Sequence, residues 1–218
     1  MPARIIFVRH GETTYNVESR YQGHTDTDLS ELGRQQAAAV AERLRDEDIA
    51  AVYASDLSRA SETARAIASF HDLPVRSDES LRECSFGEWE TLTVTEISER
   101  YPDLYRNYLR DSVTHRAPGG ERLEQLQERV VRTVTHIAEM HPDDTVVVAT
   151  HGGPIRAFFC WAFGAGLEAF RRIRVDNCSL TTFSLGHDGR WLLEVLNDVC
   201  HLDEGEPEED PQYMSSDA

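Results

Sequence analysis

The run Ile5-Ile6-Phe7-Val8 is apolar without alternation, as is Val146-Val147-Val148-Ala149 far downstream. Unbroken apolar runs of this length suit strands covered on both faces, the situation of a parallel sheet inside an α/β protein. The pattern predicts strands near 4–9, 50–54, 74–77, 145–150, 178–185 and 190–197, with helices near 30–46, 57–70, 93–111, 121–141 and 153–162. Strands alternating with helices imply an α/β fold, a mostly parallel central sheet flanked by helices. Tyr101-Pro102 interrupts the helical pattern of 93–111, because proline disfavours helical geometry in the residue before it. The region Glu90 to Gly120 is expected to form a helical lid over the strand ends.

Histidines leave two of these strands. Arg9-His10-Gly11-Glu12 follows the first, and Thr150-His151-Gly152-Gly153 ends the other. Ligands of open parallel sheets bind beyond the carboxyl ends of the strands, so neighbouring strands would bring the two imidazoles together. A lone histidine after a strand is an ordinary loop residue; the conjunction is what points to chemistry. Arg9 suits an anion, since a guanidinium matches phosphate or carboxylate oxygens, and Gly11 would let backbone approach it closely.

Two intervening segments add to this. Ser55-Asp56-Leu57-Ser58-Arg59-Ala60-Ser61-Glu62-Thr63-Ala64 reads as a strand passing into a helix, with Ser55 or Asp56 as N-cap. Arg59 then lies in the first helical turn, where the helix dipole opposes a cation and a shared anion would account for it. Leu81-Arg82-Glu83-Cys84-Ser85-Phe86-Gly87-Glu88-Trp89-Glu90 presents the carboxylate Glu83 beside aromatic side chains.

Taken in order, these four segments resemble the histidine phosphatase superfamily, the phosphoglycerate mutase-like family, over residues 4 to 200. Asp28-Leu29-Ser30-Glu31-Leu32-Gly33 is similar to the family's approach to its first helix. The resemblance implies that His10 takes the phosphoryl group and that Glu83 is general acid and then general base. Arg9, Arg59 and His151 would surround the nonbridging oxygens, with Asn16 and Gln22 as further ligands or as turn caps. Glu83 must hold a proton near neutrality, which burial or the charge of a bound phosphate would favour. Asp28 stands where proline is frequent, Thr91 where glycine is usual, and Cys84 where an apolar or small polar residue is expected. These departures bear on the pocket rim.

Phe86-Gly87-Glu88-Trp89-Glu90 resembles the phosphatase branch, and the stretch from Trp89 to Pro118-Gly119-Gly120 is short for a mutase insertion. Hydrolysis of a small phosphate monoester is the leading expectation, with phosphoglycerate mutase-type transfer or a noncatalytic phospholigand module as alternatives. A metallohydrolase built on His10, His24, Glu83 and His151 lacks a compact ligand motif, and no metal or cofactor is implied. Phe86 and Trp89 are read as core. Tyr101, Tyr105, Tyr108, Arg106 and His115 are substrate-contact candidates set behind packing and solvated-face roles.

All 22 basic residues are arginine, which excludes lysine-based phosphate loops and Schiff bases. The formal charge of −17 argues against nucleic-acid partners. Cys84, Cys160, Cys178 and Cys200 show no paired spacing. With neither a signal peptide nor a long apolar span, a cytoplasmic protein without membrane partners is expected. One domain over residues 1–202 is predicted, followed by an acidic segment, 203–218, read as a disordered tail. An open sheet with unpaired edge groups leaves a homodimer through an edge strand open.

Overall fold

The computed structural model describes residues 2–202; the acidic segment 203–218 lies outside the described residues. Six strands, β1 (Ala3–Arg9), β2 (Ile49–Ala54), β3 (Val75–Ser77), β4 (Thr145–Thr150), β5 (Leu180–Leu185) and β6 (Trp191–Asp198), form one sheet in the order β3-β2-β4-β1-β5-β6. The first four are parallel, as the unbroken apolar runs predict. The last two depart from that direction: β5 runs antiparallel to β1, and β6 returns antiparallel to β5. The short connection from Gly186 to Arg190 permits this hairpin, whereas parallel neighbours need a long crossover. β6 accordingly shows the alternating burial of an edge strand with one solvated face.

The sheet separates two apolar cores. Ile5, Phe7, Val146 and Val148 project to one face, where α6 (Leu123–Met140) and α7 (Gly152–Phe163) cover them. Ile6, Val8, Val147 and Ala149 project to the other, beneath α2 (Glu31–Arg43) and α3 (Ser58–Ala68). This two-residue alternation leaves the central strands no solvated face, so their sequence carries no polar alternation.

The predicted helix 93–111 is two helices, α4 (Val94–Arg100) and α5 (Pro102–Arg110), meeting at Tyr101. Proline is the first residue of α5, where its missing N–H costs nothing. α4 and α5 pack through Ile97, Tyr105 and Tyr108 onto the first core. Tyr105 and Tyr108 meet Trp89 edge-on at 5.4 and 5.1 Å between ring centres, and Tyr21 meets Phe86 at 4.8 Å. The short helix α1 (Thr14–Val17), capped by Thr13, and the 3-10 turns at Glu79–Leu81, Gly87–Trp89 and Leu167–Arg172 lack an apolar period and were not expected.

The loop after β1 is held against α2 at backbone distance. A Cβ on Gly11 would strike the carbonyl of Gly33, and one on Gly33 would strike that of Glu12. The close approach that Gly11 permits is thus to the first turn of α2. Glu12 completes the joint, its carboxylate accepting the hydroxyl of the N-cap Ser30 at 2.5 Å.

Thr91, at the position where glycine is usual, has a φ of +72°. A β-branched residue is strained in this region, by about 1–3 kcal/mol for left-handed backbone. Thr91→Gly is expected to raise the unfolding free energy by about 1 kcal/mol, the relief exceeding glycine's added unfolded-state entropy. Unchanged or lower stability in urea titration would contradict this account.

Candidate active site

Parallel pairing of β1 with β4 sets Arg9 opposite Thr150. The next residue of each strand is a histidine. The His10 amide donates to the Thr150 carbonyl at 2.9 Å, so the strands stay paired to the point where the imidazoles emerge. The rings of His10 and His151 lie 5.1 Å apart between centres and are almost completely buried. His10 Nδ1 lies 2.7 Å from the Gly11 carbonyl oxygen. A carbonyl only accepts, so Nδ1 carries the proton and Nε2 of the neutral ring keeps its lone pair. Burial, then Arg59 and Arg9, push His10 well below the ordinary imidazole range. Burial, then Arg59 and His10, do the same to His151.

Two arginines border the pair. Arg9, the last residue of β1, donates from Nη1 to the Val175 carbonyl. Arg59 is the second residue of α3 and is fully buried. Its Nη1 and Nη2 donate to the carbonyls of Thr25 and Gly23 at 3.0 and 2.9 Å. These carbonyls hold the cation in the first helical turn against the dipole. Burial pulls Arg59 down to about 10, so it remains charged at neutral pH. The N-cap of α3 is Leu57, without a side-chain cap, rather than Ser55 or Asp56. Both are engaged elsewhere: Ser55 Oγ meets His151 Nε2 at 2.9 Å, and Asp56 binds Arg82 through both carboxylate oxygens.

Glu83 is buried beside the same strand ends. Its Oε1 accepts the Cys84 amide at 2.8 Å and the Gly153 amide at 3.1 Å, placing the carboxylate on the first turn of α7. A Cβ on Gly153 would strike this carboxylate. The second glycine of His151-Gly152-Gly153 is therefore a space requirement of Glu83. Arg129, on α6, donates to the carbonyls of Ser80, Arg82 and Glu83 and pairs with both oxygens of Glu121, fixing the strand-to-acid segment.

Asn16 and Gln22 lie at the edge of this group. Asn16 Oδ1 accepts from the Thr13 amide at 3.1 Å, and Gln22 Oε1 accepts the Thr27 hydroxyl at 2.7 Å. Both amides therefore serve the turn as caps, with their oxygens occupied. His24 is exposed, and its Nε2 meets the Glu83 carbonyl at 2.9 Å. Among the described residues, no three His, Cys, Asp or Glu side chains are grouped to hold a metal ion.

Several residues of the site carried no sequence signal. Glu90 accepts from His24, Thr25, Ser85 and Phe86, tying the loop behind Arg59 to the acid segment. Asn177 donates to the His10 carbonyl at 2.9 Å from a loop distant in sequence. Tyr105 and Tyr108 are core, while Tyr101 donates to Glu88 and Arg106 pairs with Asp103 on the surface. Cys84 is a buried thiol, pushed well up by burial and then by Glu121.

Residues 5–199 match the family model of the histidine phosphatase superfamily, branch 1. The chain belongs to that family. Phosphoglycerate mutase-like protein 4 of Arabidopsis thaliana is 39% identical over 205 residues, covering 93% of this chain and 88% of that protein. Phosphoserine phosphatase 1 of Hydrogenobacter thermophilus is 34% identical over 201 residues, covering 92% and 95%. A mycobacterial glucosyl-3-phosphoglycerate phosphatase solved with VO3 superposes with a TM-score of 0.82 at 35% identity, over 89% of this chain and 98% of that one. Bacillus stearothermophilus YhfR superposes at 0.87 with 32% identity, over 91% and 98%. As a member of the histidine phosphatase superfamily, this chain is a phosphatase enzyme, and its fold is the phosphoglycerate mutase-like one that its sequence predicts. Among the described residues, no helix is long and apolar enough to cross a membrane.

The two depressed imidazoles link stability of this histidine phosphatase to pH. Below about 6.5 the unfolded chain binds protons that folded His10 and His151 refuse, so stability falls as pH drops through that value. Denaturant titrations between pH 7 and 5 should show this slope, up to about 1.4 kcal/mol per pH unit for each histidine. The double variant His10→Asn, His151→Asn should flatten it; an equal slope would reject these two groups as its origin.

Proposed function

We propose that this enzyme hydrolyses small phosphate monoesters through a phosphohistidine on His10, without a metal ion, with Glu83 as general acid and base. The observation that carries the reading is the bare Nε2 of neutral His10, beside His151 and between two carbonyl-anchored arginines. A neutral imidazole at working pH is a nitrogen nucleophile.

In the first half-reaction, Nε2 forms a bond to phosphorus as the ester P–O bond breaks, and the departing alkoxide takes the proton of Glu83. Arg9, Arg59 and His151 offset charge on the nonbridging oxygens, with the amide nitrogens of Asn16 and Gln22 as further donors. In the second, the Glu83 carboxylate takes a proton from water, the water oxygen bonds to phosphorus, and the P–N bond breaks. Inorganic phosphate leaves, His10 is regenerated, and Glu83 again carries a proton. The dianionic ester beside Glu83 favours the protonated form required for the first step. The names of the relatives, phosphoserine phosphatase and glucosyl-3-phosphoglycerate phosphatase, support a small phosphorylated metabolite as substrate. A phosphate-release screen across such esters, run beside an assay for isomerised products, tests hydrolysis against mutase-type transfer.

His10→Ala should abolish phosphoryl capture, and an acid-labile phosphoenzyme still seen on rapid quench would remove His10 from this role. Glu83→Gln should slow alkyl esters by roughly 10²–10⁴-fold, the size of a general-acid contribution. An activated aryl ester, whose leaving group needs no proton, should lose far less in its first half-reaction. Equal burst-phase slowing for both esters would argue against leaving-group protonation.

A further inference from the structure

Ser55 and His151 form a pair in which every hydrogen can be placed. Both residues are completely buried, and Ser55 Oγ lies 2.9 Å from His151 Nε2. The same Oγ accepts the Leu57 amide at 3.4 Å. His151 Nδ1 is buried and meets no hydrogen-bonding partner among the described residues.

Two arrangements of the protons are available. If Nε2 carries the proton and donates to Ser55, the serine hydroxyl proton is left buried without an acceptor, and bare Nδ1 is left without a donor. If Ser55 donates to Nε2, the hydroxyl accepts from Leu57 and gives to His151, satisfying both its roles. The ring proton then sits on Nδ1. Buried polar groups in folded proteins are almost always paired, and leaving one unpaired is costly. The second arrangement leaves a single unmet group, an N–H donor, beside His10 and among the arginines of the site. A donor without a protein partner at that place is matched by an anionic oxygen.

We propose that Ser55 is a positioning residue that holds neutral His151 as its Nδ1–H tautomer, so that His151 gives a hydrogen bond to a phosphoryl oxygen without being protonated. This rests on the phosphatase reading of the site and adds to it the residue that sets the direction of one phosphate contact. Burial and the neighbouring cations disfavour imidazolium in the resting enzyme, so a fixed tautomer is the means by which His151 donates at all. It also explains why the serine following β2 is more than a turn residue: its hydroxyl is directed across the strand ends instead of capping α3.

The tautomer can be read directly on the full chain by long-range 1H–15N correlation spectra of the imidazoles at pH 7.5, with His151→Asn used to assign the signal. The wild-type enzyme should show protonated Nδ1 and unprotonated Nε2 at residue 151. Ser55→Ala should lose that signature, and its affinity for inorganic phosphate and its kcat/KM should each fall about 10- to 100-fold, the cost of one hydrogen bond to a charged group. Ser55→Thr, which keeps the hydroxyl, should restore the signature and most of the affinity. A wild-type spectrum with the proton on Nε2 would overturn the proposal, even if Ser55→Ala failed to fold. So would a Ser55→Ala enzyme with unchanged tautomer and phosphate affinity. Acid-labile labelling of His10 in the wild-type preparation keeps the two readings apart: its absence beside a protonated Nδ1 counts against the phosphatase mechanism while supporting the tautomer assignment.

Discussion

The site depends on one lateral interaction, the parallel pairing of β1 with β4. Because Arg9 lies opposite Thr150, the residues that follow are level, and the His10 amide extends the ladder by one more bond to Thr150. A slip of one residue would send every side chain of β1 to the opposite face. That slip is opposed by Ile5 and Phe7 in one core and Ile6 and Val8 in the other. Packing on both sides of the sheet therefore fixes the separation of two imidazoles that make no direct hydrogen bond with each other.

Around that pair, position is fixed by bonds from side chains to main chain. Arg59 grips two carbonyls in the 23–25 loop, Glu90 pins the same loop to the acid segment, and Arg129 grips three carbonyls leading to Glu83. Glu83 in turn rests on α7 through the Gly153 amide, and Asn177 braces the His10 carbonyl. Such bonds hold irregular loops to a rigid sheet, the kind of second support that keeps reacting groups in register.

Much of this was legible in the sequence because it depends on local pattern. Unbroken apolar runs announce buried strands, and the residues ending them can be assigned to one edge of the sheet. Tyr101-Pro102 marks the break between α4 and α5. The antiparallel β5–β6 hairpin was not legible in direction, since apolar runs do not encode strand polarity. Ser55 misled for a physical reason: a serine before a helix is a common cap, and only the fold reveals His151 as its partner. Arg129 and Asn177 were silent because an arginine on an amphipathic helix and an asparagine in a loop are ordinary until distant carbonyls arrive beside them. Thr91 departs from the family pattern at a place where its backbone angle shows why glycine is common there.

The anchoring of Arg59 to carbonyls has an electrostatic consequence. A carbonyl dipole orients a guanidinium without cancelling its charge, as a carboxylate partner would. In a molecule of formal charge −17, a buried positive charge is thereby kept at the strand ends. A small dianion in contact with this guanidinium would lie well inside the screening length of about 8 Å in physiological salt. A long polyanion would bring only part of its charge to that contact and would meet the repulsion of the molecule's net negative charge with the rest. A buried cation held by dipoles within an anionic protein thus favours a compact anion over an extended one.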